Sequence, residues 1–235
     1  MDYSAYSNVG GRGNNEDAVL VEETGTAALF VVADGVGGVE AGELASNAAI
    51  EELRGQFLFE PNAFDLTGAI MAANLQVLSL QEQTKKKMKT TIAVVLVTQD
   101  TVQCAHVGDT RIYLFSKGEI RYQSMDHSVS QMAVLAGEIT TDEIRQHKDR
   151  NKLLRALGAS DELTVDVKTF PREEIDGLLM CTDGFWEYVL EDELLSTRAA
   201  ASASDEWLAA MRGILQERVK EKANNDNNTA IAASF

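Results

Sequence analysis

Two of the most apolar runs in this chain, Ala-Leu-Phe-Val-Val-Ala at 28 to 33 and Leu-Leu-Met-Cys-Thr at 178 to 182, run directly into Asp-Gly, at Asp34-Gly35 and Asp183-Gly184. Continuous apolar runs bounded by turn residues read as buried strands. The end of a buried strand is a costly place for a lone carboxylate. A desolvated charge survives there only if it is neutralised, hydrogen-bonded to backbone amides or bound to a cation. Other carboxylates stand at similar element ends, and this recurrence points to a shared metal centre.

The rest of the chain supplies the frame. With 235 residues, 45% hydrophobic and 25% charged, it has the makeup of one globular domain with a substantial core. Two prolines, no Pro/Ser-rich linker and no fixed-period repeat leave nothing to divide it. The opening Met-Asp-Tyr-Ser-Ala-Tyr lacks a basic patch and an apolar segment, and no run approaches the roughly 18 apolar residues of a membrane span. A soluble, cytoplasmic, monomeric protein is therefore expected. Cys104 and Cys181 lie in strand-like runs without metal spacing and read as buried, reduced thiols. The formal charge of −16 makes attraction to nucleic acid or an anionic membrane a poor expectation. For an anionic substrate, attraction has to be local, from bound cations or a focused arginine.

Residues 27 to 33 and 178 to 182 are the buried strands. The β-rich stretches 91 to 97 and 102 to 107 read as a hairpin, and 111 to 115 with 119 to 123 as another, so an antiparallel meander is expected in the middle of the chain. Helical spacing covers 41 to 58 and 66 to 82, with Asp65 placed to cap the second, and 204 to 222, which is acidic at its start and basic near its end. Residues 229 to 235 close the chain as a strand. Residues 124 to 158 interrupt this pattern with short helices, one opened by Thr140 and Glu143 at capping-box spacing, and read as a flap beside the sheet ends. Meanders bracketed by helices predict an α+β fold, with sheets sandwiched between helices.

The carboxylates at issue are Glu16 and Asp17 in Asn-Asn-Glu-Asp, Asp34, Asp109 in Val-Gly-Asp-Thr-Arg, Asp183, and Asp226 in Asn-Asn-Asp-Asn-Asn-Thr. All are oxygen donors without Cys/His spacing, which suits Mg²⁺ or Mn²⁺ better than structural zinc. A glycine beside the aspartate lets its own carbonyl approach a cation and permits a sharp exit from the strand, which makes Gly35 a candidate ligand. Taken singly, each Asp-Gly is a turn former. Order and context together reverse that weighting.

At this point the chain resembles a family, the metal-dependent type 2C (PPM) serine/threonine protein phosphatases, particularly their compact bacterial-like members. The likeness spans nearly the whole chain. It rests on Arg-Gly-Asn-Asn-Glu-Asp at 12 to 17, Ala-Asp-Gly-Val-Gly-Gly at 33 to 38, Gly-Glu-Leu-Ala-Ser at 42 to 46 and Val-Gly-Asp-Thr-Arg at 107 to 111. Asp-His-Ser at 126 to 128, Leu-Leu-Arg-Ala-Leu-Gly at 153 to 158, Cys-Thr-Asp-Gly at 181 to 184 and Asp-Asn-Asn-Thr at 226 to 229 complete it.

The resemblance implies two antiparallel sheets flanked by helices, with a two-metal centre at one edge. Asp34 would bridge both ions, the Gly35 carbonyl would complete one site, Asp183 and Asp226 would hold the other, and Glu16 and Asp17 would bind directly or through water. Asp109, with Asp183, matches a third, weaker site. A water shared by two cations would attack phosphorus in line, and Arg12 would take two phosphate oxygens with its planar fork. The substrates implied are phosphoproteins, those of a serine/threonine kinase.

One position departs from the pattern: many relatives carry a histidine after Gly37-Gly38, where this chain has Val39. Valine cannot protonate a leaving alkoxide, so that proton must come from elsewhere. His106, His127 and His147 are expected to be structural, His127 the least securely. Cys104 and Arg111 are too far apart for the phosphate loop of cysteine phosphatases, and Cys104 lacks a helix N-terminus. Trp186 and Tyr188 read as packing. Lys85-Lys86-Lys87-Met88-Lys89, the basic cluster, reads as a solvated connection before a docking patch. Two alternatives to a protein phosphatase stay open at this stage, a non-catalytic phosphoprotein-binding module and a phosphatase of small esters.

Overall fold

Side chains alternate along a strand, so an unbroken apolar run has to be buried on both faces. The first run satisfies this condition. In the computed structural model, which describes residues 1–37 and 40–235, it lies in strand Ala27–Gly37. Ala28, Phe30 and Val32 point into a layer shared with Val95, Ile112, Leu178 and Ile231, between two sheets. Leu29, Val31 and Ala33 point the other way, into a layer with Ala45, Leu53, Ile70 and Val77 from two helices. The second run divides likewise, Leu178 and Met180 facing the inter-sheet layer and Leu179 and Cys181 facing Trp207 and Met211.

The result is four layers. One sheet has the order β1 (Asp2–Asn8), β11 (Asn228–Ser234), β10 (Gly177–Cys181), β7 (Arg111–Ser116) and β8 (Glu119–Gln123). The other runs β2 (Asp17–Glu23), β3 (Ala27–Gly37), β5 (Ile92–Thr98), β6 (Thr101–Val107) and β9 (Asp166–Pro171), with β4 (Met88–Thr90) paired to the end of β3. Every pairing is antiparallel. Helices α1 (Ala41–Phe59) and α2 (Leu66–Thr84) cover the second sheet. On the outer side of the first sheet lie α4 (Asp183–Trp186), α5 (Glu191–Ala200) and α6 (Ser204–Val219), while α3 (Val129–Leu135) belongs to the 124–158 segment.

Several expectations are corrected. The two central hairpins do not form one meander: β5–β6 belongs to one sheet and β7–β8 to the other. The free edge of β6 is taken by β9, and β7 pairs with β10, so Gly108, Asp109 and Thr110 carry the chain between the sheets. Gly108 makes that step at φ 113°, a left-handed backbone that favours glycine. Asp34-Gly35 does not end its strand, because β3 continues to Gly37 on its pairing with β4. Asp65 stands at the N-cap of α2, but its side chain makes no capping bond. Helix α6 stops at Val219, three residues before the expected end, which puts Lys220 at its C-cap and Lys222 beyond it. The capping box of Thr140 and Glu143 is present, on a 3₁₀ turn spanning Thr141–Gln146.

The middle of the 124–158 segment is fastened to the region between α4 and α5. Arg145 donates to both carboxylate oxygens of Glu191 at 2.8 Å, and Arg150 reaches Glu187 at 2.6 Å. Below it, Arg111 lies fully buried against Asp126 through two bonds of 2.9 and 2.7 Å, its guanidinium 3.6 Å from the centre of the Trp186 ring. Removing one partner of such a pair strands the other charge. Asp126→Ala is expected to lower stability by about 3–5 kcal/mol, and the midpoint of thermal unfolding by roughly 10 °C. An unchanged midpoint would show that Arg111 finds other partners.

Candidate metal centre

Strand β2 and strand β3 are in register such that Asp17 faces Asp34. The backbone around Asp34 is held by side chains of the next strand: its N–H donates to Thr91 Oγ1 at 2.9 Å, and its carbonyl accepts from Thr90 Oγ1 at 3.0 Å and Thr91 N–H at 2.8 Å. Both main-chain groups are therefore used locally, and the carboxylate is left facing the sheet end. Gly35 gives its N–H to the Glu16 carbonyl at 3.1 Å. A Cβ there would lie 2.2 Å from the Gly42 carbonyl oxygen, and one on Gly42 would lie 2.7 Å from the Glu16 carboxylate. Glycine at both positions is what lets the first turn of α1 close on β3 and Glu16.

The other sheet supplies its share through Thr182. Its hydroxyl donates to Asp17 Oδ2 at 2.9 Å and accepts the Thr229 N–H at 3.0 Å, which locks β11 to the start of α4, where Asp183 sits. Asp109 occupies the crossing between sheets, and its carbonyl accepts the Trp186 indole N–H at 3.0 Å. Asn227 ties the strand ends together, accepting from Glu16 N–H at 2.8 Å and donating to the carbonyls of Val9 and Asn14 at 2.7 and 2.9 Å.

These elements enclose a cavity of about 370 Å³. Arg12, Glu16, Asp34, Gly35, Asp109, Asp183 and Asp226, seven of the eight residues singled out from sequence, line it. Asp17, the eighth, is paired with Asp34 on the neighbouring strand and does not line the cavity. Sequence reasoning gave no role to Asn14, Thr182 and Asn227, although all three lie within the motifs quoted above, read Trp186 only as packing, and did not single out Asn151. Gly38 and Val39 lie outside the described residues.

The electrostatics of this cavity are unfavourable as they stand. The Asp34 carboxyl is held well above the carboxylate range, first by burial and then by repulsion from Asp17, Asp183, Asp109 and Asp226. Asp183 is raised for the same reasons. Burial, ahead of neighbouring carboxylates, pushes Asp17 and Asp109 up to about 7. Asp17 Oδ1 and Asp183 Oδ1 are buried without a hydrogen-bond partner among the described residues. Arg12 offers a nearby cation, 2.8 Å from Asp226, but it lies at the exposed rim. Converging hard oxygen donors, two of them orphaned, fit divalent cations such as Mn²⁺ or Mg²⁺.

A second cluster fits an ion less well. His106, His127 and Asp166 bring ligand atoms within 4.8 Å of one another. The His106 Nε2 proton is committed to the Met125 carbonyl at 2.8 Å, and the His127 Nδ1 lone pair accepts the Gly108 N–H at 3.1 Å. With those tautomers, inferred from their partners, His127 presents an N–H toward Asp166, and Arg155 already stands 3.1 Å from that carboxylate. Burial, then His106, pushes His127 down to about 4, in keeping with a neutral ring that holds the Gly108 turn beside Asp109. His147 Nδ1 accepts the Asp149 N–H within its own turn. Cys104 and Cys181 are free and buried, and burial pushes the Cys104 thiol up to about 12.

Two antiparallel sheets between helices, with carboxylates from both sheets converging at one edge, define a candidate centre for divalent cations. The family model for protein phosphatase 2C matches residues 6–226. The serine/threonine phosphatase stp of Listeria welshimeri is 31% identical over 208 residues, covering 83% of this chain and 82% of that protein. Protein phosphatase PhpP of Streptococcus pneumoniae is 28% identical over 206 residues, covering 83% and 82%. Among solved structures, serine/threonine phosphatase Stp1 from Staphylococcus aureus superposes with a TM-score of 0.86 at 28% identity, over 100% of this chain and 95% of that one. The catalytic domain of the serine threonine protein phosphatase PstP in complex with two manganese ions does so with a TM-score of 0.83 at 28% identity, over 99% and 96%. The chain belongs to the protein phosphatase 2C family.

Proposed function

We propose that the chain is one phosphatase domain, with residues 124–158 as its flap, that removes phosphate from phosphoserine and phosphothreonine in proteins with the aid of two Mn²⁺ or Mg²⁺ ions. The observation that carries this reading is the convergence of Glu16, Asp34, Gly35, Asp109, Asp183 and Asp226 on one cavity with Arg12 at its rim. Asp34 would bridge the ions, the Gly35 carbonyl would complete one position, Asp183 and Asp226 the other, and Asp109 with Asp183 a third. Glu16 and Asp17 would act directly or through water. When bound, the ions supply an activated water and offset charge on the phosphoryl oxygens.

The chain's own contribution is positioning. Thr90, Thr91 and Thr182 hold the backbones and carboxylates in place, as described above, so little reorganisation is needed on binding. Arg12, half exposed and paired to Asp226, is free to turn its fork onto two phosphate oxygens, and the Asn14 and Asn151 amides line the same cavity. Among the described residues no histidine lines it.

No helix of the described residues is long and apolar enough to cross a membrane. A cytoplasmic monomer opposing a serine/threonine kinase, with neither nucleic acid nor membrane as partner, suits that fact and the charge of −16.

Phosphate release from a phosphothreonine peptide tests the reading. Activity should vanish on chelation and return with Mn²⁺ or Mg²⁺, and Arg12→Ala should lower kcat/KM by about 10- to 100-fold, largely through KM. A folded, metal-loaded protein that binds the peptide without turning it over would be a binding module. Turnover of small phosphoesters alone would make it a small-ester phosphatase.

A further inference from the structure

The Lys85–Lys89 run has no part in the metal centre, yet the fold carries its last residue to the edge of that centre. Lys89 lies on β4 in register with Val36 on β3. Val36, Asn151 and Leu153 line the carboxylate cavity and also a second hollow of about 220 Å³, which continues past Leu154 and Ala159 to Lys89 and Arg155. The two hollows adjoin at these three shared residues as a groove.

Its far wall is fixed. Leu157 exchanges two backbone bonds with Thr90 at 3.2 and 2.8 Å, and the Gln81 amide of α2 bonds the Gly158 and Met88 carbonyls at 2.7 and 2.6 Å. The floor is apolar and open, with Val36 46% and Leu154 54% exposed. The charges at the end are unequal. Arg155 is engaged by Asp166, and Lys86 lies 3.9 Å from Glu40. Lys85, Lys87 and Lys89 are exposed and form no ion pair among the described residues. On a chain of charge −16, such a patch is where an acidic ligand finds local attraction.

We propose that this groove takes the polypeptide beside the phosphoresidue, and that Lys89, supported by Lys85 and Lys87, selects substrates bearing Asp or Glu there. The inference rests on the phosphatase reading above and names a substrate class within it.

The test compares kcat/KM, with Mn²⁺ present, for phosphothreonine peptides that differ only in carrying Asp, Ser or Lys on one side or the other of the phosphoresidue. On one side the wild type should prefer the Asp peptide over the Ser peptide by about fivefold, the scale of an exposed ion pair. Lys89→Gln should abolish that preference, Lys89→Glu should turn it toward the Lys peptide, and salt should shrink it in the wild type. The ratio is taken within each protein, so a loss of folded molecules cancels. Equal rates for all peptides in the wild type, or an unchanged ratio in both Lys89 variants, would overturn the proposal while leaving the phosphatase reading intact. Absence of turnover on every peptide by metal-loaded wild type would overturn both.

Discussion

Asp34→Asn should abolish turnover and at the same time make the metal-free protein more stable. Asparagine keeps the shape and the backbone bonds to Thr90 and Thr91 but removes a charge that four neighbouring carboxylates oppose. If Asp34 bridges the ions as proposed, a loss of roughly a thousandfold or more in kcat/KM is expected, about 4 kcal/mol of transition-state stabilisation. In a chelator at pH 8 the variant should unfold several degrees above the wild type, because the clustered charges repel one another and pay no part of the folding free energy until a cation arrives. Added Mn²⁺ should stabilise the wild type strongly and the variant weakly. Phosphate release and thermal unfolding, each with chelator and with Mn²⁺, give the four values needed. A variant that retains full activity and the full Mn²⁺-induced shift would remove Asp34 from the centre.

The second large effect is on the pH dependence of the metal-free fold. Asp17 and Asp109 titrate near 7 in the native state, and Asp34 and Asp183 are also raised, whereas unfolded aspartates titrate near 4. Between those values the native protein holds protons that the unfolded chain has released. Stability is therefore fully present below about pH 4 for these groups and is lost as the pH rises through 7. One carboxyl displaced this far contributes on the order of 3–4 kcal/mol, so the midpoint in chelator should fall by roughly 10 °C between about pH 5 and pH 8. Divalent metal reverses the logic, since it binds the deprotonated form and displaces those protons. With Mn²⁺ the decline should flatten, and calorimetric titration near pH 6 in buffers of different ionisation enthalpy should register protons released on binding. A metal-free midpoint that rises between pH 5 and pH 8 would contradict the arrangement of charges described here.

Both expectations arise from one structural fact. The site is assembled from strand ends of both sheets and the start of two helices, so packing holds together carboxylates whose mutual repulsion would otherwise keep them apart. Thr182 shows how this is done: a single hydroxyl accepts a backbone N–H of β11 and donates to Asp17 of β2, coupling the two sheets at the point where the charges gather. The same economy explains Gly35 and Gly42, where any side chain would hold α1 away from the site.

Much of this was legible before any coordinates. Uninterrupted apolar runs can be satisfied only by burial on both faces, which is why residues 28 to 33 and 178 to 182 identify the two central strands and demand helices outside them. The Asp-Gly pairs that follow the apolar runs, with Glu16, Asp109 and Asp226, point to the candidate metal centre because an uncompensated buried carboxylate is costly. These are local facts of composition and period, and the chain carries them wherever it folds. Tertiary structure alone decided the rest. Two hairpins adjacent in sequence were assigned to different sheets, because strand partners are chosen by which edges remain free. That choice made Asp109 the crossing point between sheets. Asn227, Thr182 and Trp186 acquired their supporting roles only through partners 15 or more residues away, which no local pattern encodes. Lys89 became a neighbour of the carboxylate cavity for the same reason: the end of the lysine run, expected to be a solvated connection, is drawn against β3 by backbone pairing and by burial of Met88 in the core, which leaves Lys89 facing outward.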